Sequence, residues 1–110
     1  MSGDGLHALA DARSLALHRA VAERLRAQPE LVDAARRRVK AWQRERTVAA
    51  YYADAWATLL DGDRERLLAT LTDPGEEAIA LRHVTPFAGV VDPRTRWQIW
   101  RQERAAFEGR

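Results

Sequence analysis

Proline and glycine are scarce in this chain and stand between its apolar-periodic segments rather than inside them, which leaves little room for anything but helices joined by short turns. Between those breakers the apolar residues recur at steps of three and four, the spacing that lines one face of an α-helix. No stretch alternates apolar and polar residues as a half-buried strand would. A length of 110 residues suits one domain with one core. With 46% apolar and 31% charged residues, the composition is that of a folding globular chain, not a disordered one. The expectation is an all-α fold: a compact bundle of five to six helices with short turns.

The elements can be placed from their signals. "SLALHRAVAERLRAQ" starts at Ser14, a suitable N-cap, and sets Leu17, Val21 and Leu25 on one face, so residues 1–13 are expected to be a flexible tail before a domain spanning 14–110. Pro29 fits the first position of a second helix, with Glu30 at the positive end of its dipole. From Leu31 the register runs through Val32, Ala35, Val39 and Trp42, then Ala49, Ala53, Trp56 and Leu60. The β-branched Thr47 and Val48 predict a break there. Gly62 is expected in the left-handed conformation that ends a helix, and Asp63 to cap the next. "TDPGEE" predicts a fifth helix with Asp73 as cap, Pro74 in the first turn and Glu76 completing a capping box. "VTPFAGVV" interrupts helical order, with Gly89 expected at positive φ, and Asp92-Pro93 launches the last helix.

Few chemistries fit these residues. The absence of cysteine removes disulfides and thiolate chemistry and suits the cytoplasm. No segment reads as a secretory signal or a membrane span. His7, His18 and His83 lie on different elements, none at ligand spacing to another histidine; His18 and His83 are read as helix-surface or edge residues and His7 as part of a loose tail, and no metal or other cofactor is expected. Phosphate-cradling glycine loops and nucleophile elbows are missing, and the paired carboxylates Glu76/Glu77 and Asp61/Asp63 sit where helix starts already employ them. A non-enzymatic protein is expected.

Two surfaces remain. "RRRVKAWQRER", Arg36 to Arg46, offsets six basic residues with Glu45 alone, although the whole chain carries a formal charge of only +2. Helical spacing gathers Arg36, Arg37, Lys40 and Arg44 on the side away from Val39 and Trp42, a stripe suited to DNA phosphates. An ordinary solvated face produces the same pattern, and Asp33 and Asp54 fall near that azimuth. A helix-turn-helix between Val48 and Leu71 would lack a tight small-residue turn and a polar recognition helix.

The second surface is the last helix, where Trp97, Trp100 and Phe107 are read as one stripe widened by Ile99 and Ala106. Arg101 and Arg104 stand four residues beyond the two tryptophans, spaced for cation–π contacts. Aromatic and arginine side chains dominate binding hot spots, so Phe87, Trp97, Trp100, Arg101 and Arg104 form the candidate partner-binding set. The same residues would serve equally to close the core.

The succession of "SLALHRAVAERL", "YYADAWATLL" and "LRHVTPFAGVVDPRTRWQIWRQER" resembles small bacterial all-helical proteins of antitoxin-like type, from about Ser14 to about Arg104, most distinctively in "PFAGV" followed by "RWQIWR". No catalytic or binding residue is carried over by that resemblance. What it implies is a role: binding and neutralising a toxin enzyme, with autoregulation through DNA. The sequence leaves oligomeric state open.

Overall fold

A computed structural model describes residues 2–109. It is an all-α bundle with six α-helices among the described residues: α1 (Ser2–Ala27), α2 (Val32–Glu45), α3 (Ala50–Asp61), α4 (Arg64–Thr72), α5 (Glu76–Arg82) and α6 (Pro93–Glu108), with a 3₁₀ turn over Pro29–Leu31 leading into α2. The predicted break is present: α2 stops at Glu45, and Arg46 takes the left-handed conformation, φ 55°, with its N–H on the Trp42 carbonyl.

The core forms where the apolar faces of α1 to α4 meet the α5–α6 loop. Val21 and Leu25 of α1, Val39 of α2, Trp56 and Leu60 of α3, and Leu67, Leu68 and Leu71 of α4 are buried together with Phe87 and Val91. Trp56 is the largest of these, and its indole N–H donates to the carbonyls of Val84 at 2.7 Å and Leu81 at 3.2 Å. Leu81 is in the last turn of α5, its carbonyl also accepting from the Val84 N–H at 3.0 Å, and Val84 lies just past the helix end, outside regular helical pairing. The Phe87 ring meets Trp56 edge-on, centroids 5.8 Å apart.

Several local signals resolve differently from expectation. The first helix begins at Ser2, not Ser14, which is an interior residue of α1. Residues 8–12, "ALADA", are mostly good helix formers, and α6 packs along α1, meeting it where Arg13 lies over Trp100. Met1 lies outside the described residues. Gly62 is not left-handed: its φ is −95°, and α3 ends on a short-range bond from its N–H to the Leu59 carbonyl. Glycine serves close approach there, since a Cβ would stand 3.1 Å from the Thr58 carbonyl oxygen. Gly89 likewise has no positive φ. Asp63 caps α4 as predicted, accepting from the Glu65 N–H at 3.3 Å.

Asp73 does not cap α5. Its carboxylate accepts from the Gly75 N–H at 2.8 Å, closing a turn, and Gly75 is the N-cap. The reason lies in Arg82, a buried cation whose Nη1 donates to the carbonyls of Asp73 at 2.7 Å and Thr70 at 3.0 Å. It satisfies the C-terminal end of α4 and fixes the Asp73 backbone in that role. Burial pulls the Arg82 pKa below the usual guanidinium value, an effect opposed by Asp73 and Asp11.

His18 is the largest departure. Read from sequence as a surface or edge residue, it is 1% exposed. Its Nδ1–H donates to the Ser14 carbonyl at 2.7 Å, so its Nε2 accepts from the Thr85 hydroxyl at 2.8 Å, and the Phe87 N–H in turn donates to Thr85 Oγ1 at 3.0 Å. This relay ties α1 to the loop that places Phe87 in the core. His83 stays exposed and meets Asp11 of α1 at 3.1 Å.

Burial lowers the His18 pKa from 6.5 to about 4, with the Ser14 carbonyl acting in the opposite sense. The unfolded chain therefore takes up this proton near pH 6.5 and the folded chain only near 4, so the stability this group contributes is complete above 6.5 and is lost as pH falls through that window. The expected loss is about 3 kcal/mol. Urea titrations across this range should show that extra acid sensitivity in the wild type and not in His18→Gln; equal slopes in the two chains would overturn the assignment.

Candidate functional site

α6 begins as its sequence dictates. The Asp92 carboxylate accepts from the Thr95 N–H at 3.2 Å, and Pro93 occupies the first turn, where its missing N–H costs nothing. Hydrogen bonds from Thr95, its hydroxyl first and then its backbone N–H, hold the Asp92 carboxyl below the usual range. Past this start, α6 behaves unlike the other long helices: none of its residues is buried.

The expected single stripe is split between two faces. Thr95, Ile99, Glu103 and Phe107 are the half-buried positions of α6, on the side of α1, its main packing neighbour. Trp97 is two residues from Thr95 and from Ile99, roughly half a turn around the helix, and so points outward. It is 62% exposed, and Trp100, at the edge of the same outer face, is 36% exposed. Pro93, Arg96, Trp97 and Trp100 line a shallow recess of about 210 Å³ on this face.

Arginines surround the two indoles, though not in the expected pairs. The guanidinium lying over Trp100 belongs to Arg13 of α1, 4.8 Å from the ring centroid, and Arg13 Nη2 also reaches the Trp100 carbonyl at 3.5 Å. Arg104 instead pairs with Glu108 at 2.9 Å. Arg96 donates to the Ala88 carbonyl, tying the helix to its leading loop. Arg94 and Arg101 are exposed, and no carboxylate lies within ion-pair distance of either among the described residues.

Of the predicted partner-binding set, Trp97, Trp100, Arg101 and Arg104 share the outer side of α6, and Phe87 does not join them. Phe87 is fully buried against Trp56, so its place in that set is corrected: the loop "TPFAGVV" closes on the core because Thr85, bound to His18, turns the chain inward. Arg13 is the member that sequence reasoning missed, since 87 residues separate it from Trp100.

The basic stripe of α2 is also reduced. Arg36 Nη2 donates to the Leu60 carbonyl at 2.7 Å, its Nη1 meets Asp33 at 3.2 Å and its Nε lies 3.5 Å from Asp61. That cation locks α2 to the end of α3 and is not available to phosphates. Arg37, Lys40 and Arg44 remain exposed. Among the described residues no group of three or more His, Cys, Asp or Glu is arranged to hold a metal ion, and no helix is long and apolar enough to cross a membrane.

The two aromatic roles separate in a stability measurement. Phe87→Ala should cost about 3–5 kcal/mol through the cavity left beside Trp56. Trp97→Ala should stay within about 0.5 kcal/mol of wild type, as exposed substitutions do. Denaturant midpoints of the two variants check this, and a comparable loss in both would place Trp97 in the core.

Comparison with protein-family models, curated proteins and solved structures gives no match to this chain, so its site is read from its own geometry.

Proposed function

We propose that the chain is a non-catalytic binding module whose α6 outer face takes an acidic, partly apolar surface of a partner protein, acting as an antitoxin-like inhibitor of a partner enzyme in the cytoplasm. The observation that carries this reading is the outward Trp97 and Trp100 on a helix with no buried residue. Large exposed indoles are costly to leave in water and give much contact area at little entropic cost when covered. Arg94 and Arg101, with no carboxylate in ion-pair distance among the described residues, supply the charge that selects an acidic partner. Arg13 over Trp100 holds that indole in place before binding. The inhibitory form of the role rests on the sequence resemblance to antitoxin-like proteins.

DNA on the α2 face is the second reading, supported by the three outward cations Arg37, Lys40 and Arg44. It predicts affinity for duplex DNA that falls steeply with salt, with the slope reduced by about 1 for each of the three that is neutralised.

For the first reading, Trp97→Ala combined with Arg101→Ala should abolish capture of the partner enzyme while leaving the helical circular dichroism unchanged. Adding the wild-type chain should reduce that enzyme's activity in proportion to the complex formed. Undiminished capture by the double variant would overturn the assignment of α6, and a captured enzyme of unchanged activity would overturn the inhibitory role alone.

A further inference from the structure

A second surface complements α6. Between α3, α4 and α5 lies an open groove of about 480 Å³, with apolar Ala55, Leu59, Ala78 and Leu81 among its lining residues. Asp63, Asp73 and Glu77 also line it, with Arg66 as the one cation. The C-terminal end of α3 and the N-terminal ends of α4 and α5 meet at this groove with opposing dipoles, so its sign is set by the carboxylates. Tyr51, 66% exposed, places its hydroxyl 3.5 Å from Glu77 and extends the groove by an aromatic ring. The groove is therefore apolar within and electronegative around.

The α6 outer face has the matching form. Pro93, Trp97 and Trp100 are spaced i, i+4 and i+7, the anchor pattern of a helix that lies in a groove, and Arg94 and Arg101 flank them. No residue of α6 lines the groove, and α6 packs chiefly along α1, so the ridge and the groove of one molecule do not meet. A second copy can bring them together.

We propose that the α6 ridge of one copy docks in the α3–α5 groove of another, giving head-to-tail self-association. Ridge and groove are different surfaces, so the contact is heterologous, and each added copy leaves one ridge and one groove free. Association then grows with concentration, into rings where the rotation closes and into open chains where it does not. This step requires no other protein and goes beyond the partner-binding role, while a partner seated on α6 would compete with it.

Sedimentation velocity of the full chain tests the contact. Wild type should shift to larger species toward millimolar concentration and return to monomer in high salt, because the charges involved are exposed and screened. Arg101→Glu and Glu77→Lys should each weaken association by about tenfold or more when alone. Mixing the two should restore it, since each variant then meets a complementary surface on the other. Circular dichroism checks folding; if Glu77→Lys does not fold, Thr58→Arg fills the same groove. A wild type that stays monomeric, a variant that associates undiminished, or a mixture that stays monomeric overturns the proposal.

Discussion

Trp56 is the contact on which the rest of the structure depends. Its ring fills the centre of the bundle, and its N–H binds the carbonyls of Leu81 and Val84, so one side chain of α3 fixes where α5 ends. A buried indole N–H without a partner would cost free energy, as would an unpaired loop carbonyl. The 2.7 Å bond from Trp56 to the Val84 carbonyl satisfies both. Phe87 then packs edge-on against the same ring and sets the direction in which the chain leaves toward α6.

Two further buried polar groups complete that arrangement. Arg82 binds the last carbonyls of α4, and His18 connects α1 through Thr85 to the Phe87 backbone. Arg82 reaches carbonyls at and just past the end of α4, and His18 reaches, through the Thr85 hydroxyl, a loop N–H that no regular element pairs. The α5–α6 loop is consequently held from three sides, by Trp56, His18 and the burial of its own Phe87. A rigid loop gives α6 a fixed departure point, although α6 itself buries nothing fully.

That division between a tightly tied core and a helix laid along α1 underlies the proposed binding role. Hydrophobic burial stabilises the core without help from Trp97, leaving the indole available as contact area. Charge follows the same division. Buried Arg82 and half-buried Arg36 are committed to backbone carbonyls, whereas Arg94 and Arg101 on α6, and Arg37, Lys40 and Arg44 on α2, stay in solvent. Eighteen basic residues against sixteen acidic ones therefore say less about partners than which of them the fold consumes.

The all-α class, the break between Glu45 and Ala50, the cap at Asp63 and the Asp92-Pro93 start of α6 are all written in local sequence. Periodicity and capping act over a few residues and need no distant partner. Tertiary structure alone decided what depends on neighbours far along the chain. Ser14 became the interior of a longer helix along which α6 packs, and Asp73 became a turn residue under Arg82. His18 went into the interior, where Thr85 lies 67 residues away. Phe87 and Trp97 look alike as aromatic residues near one helix start, yet one is core and the other surface. Local sequence sets how side chains are spaced around a helix, but which side is covered depends on where the other helices pack, and that is fixed only when the whole core closes.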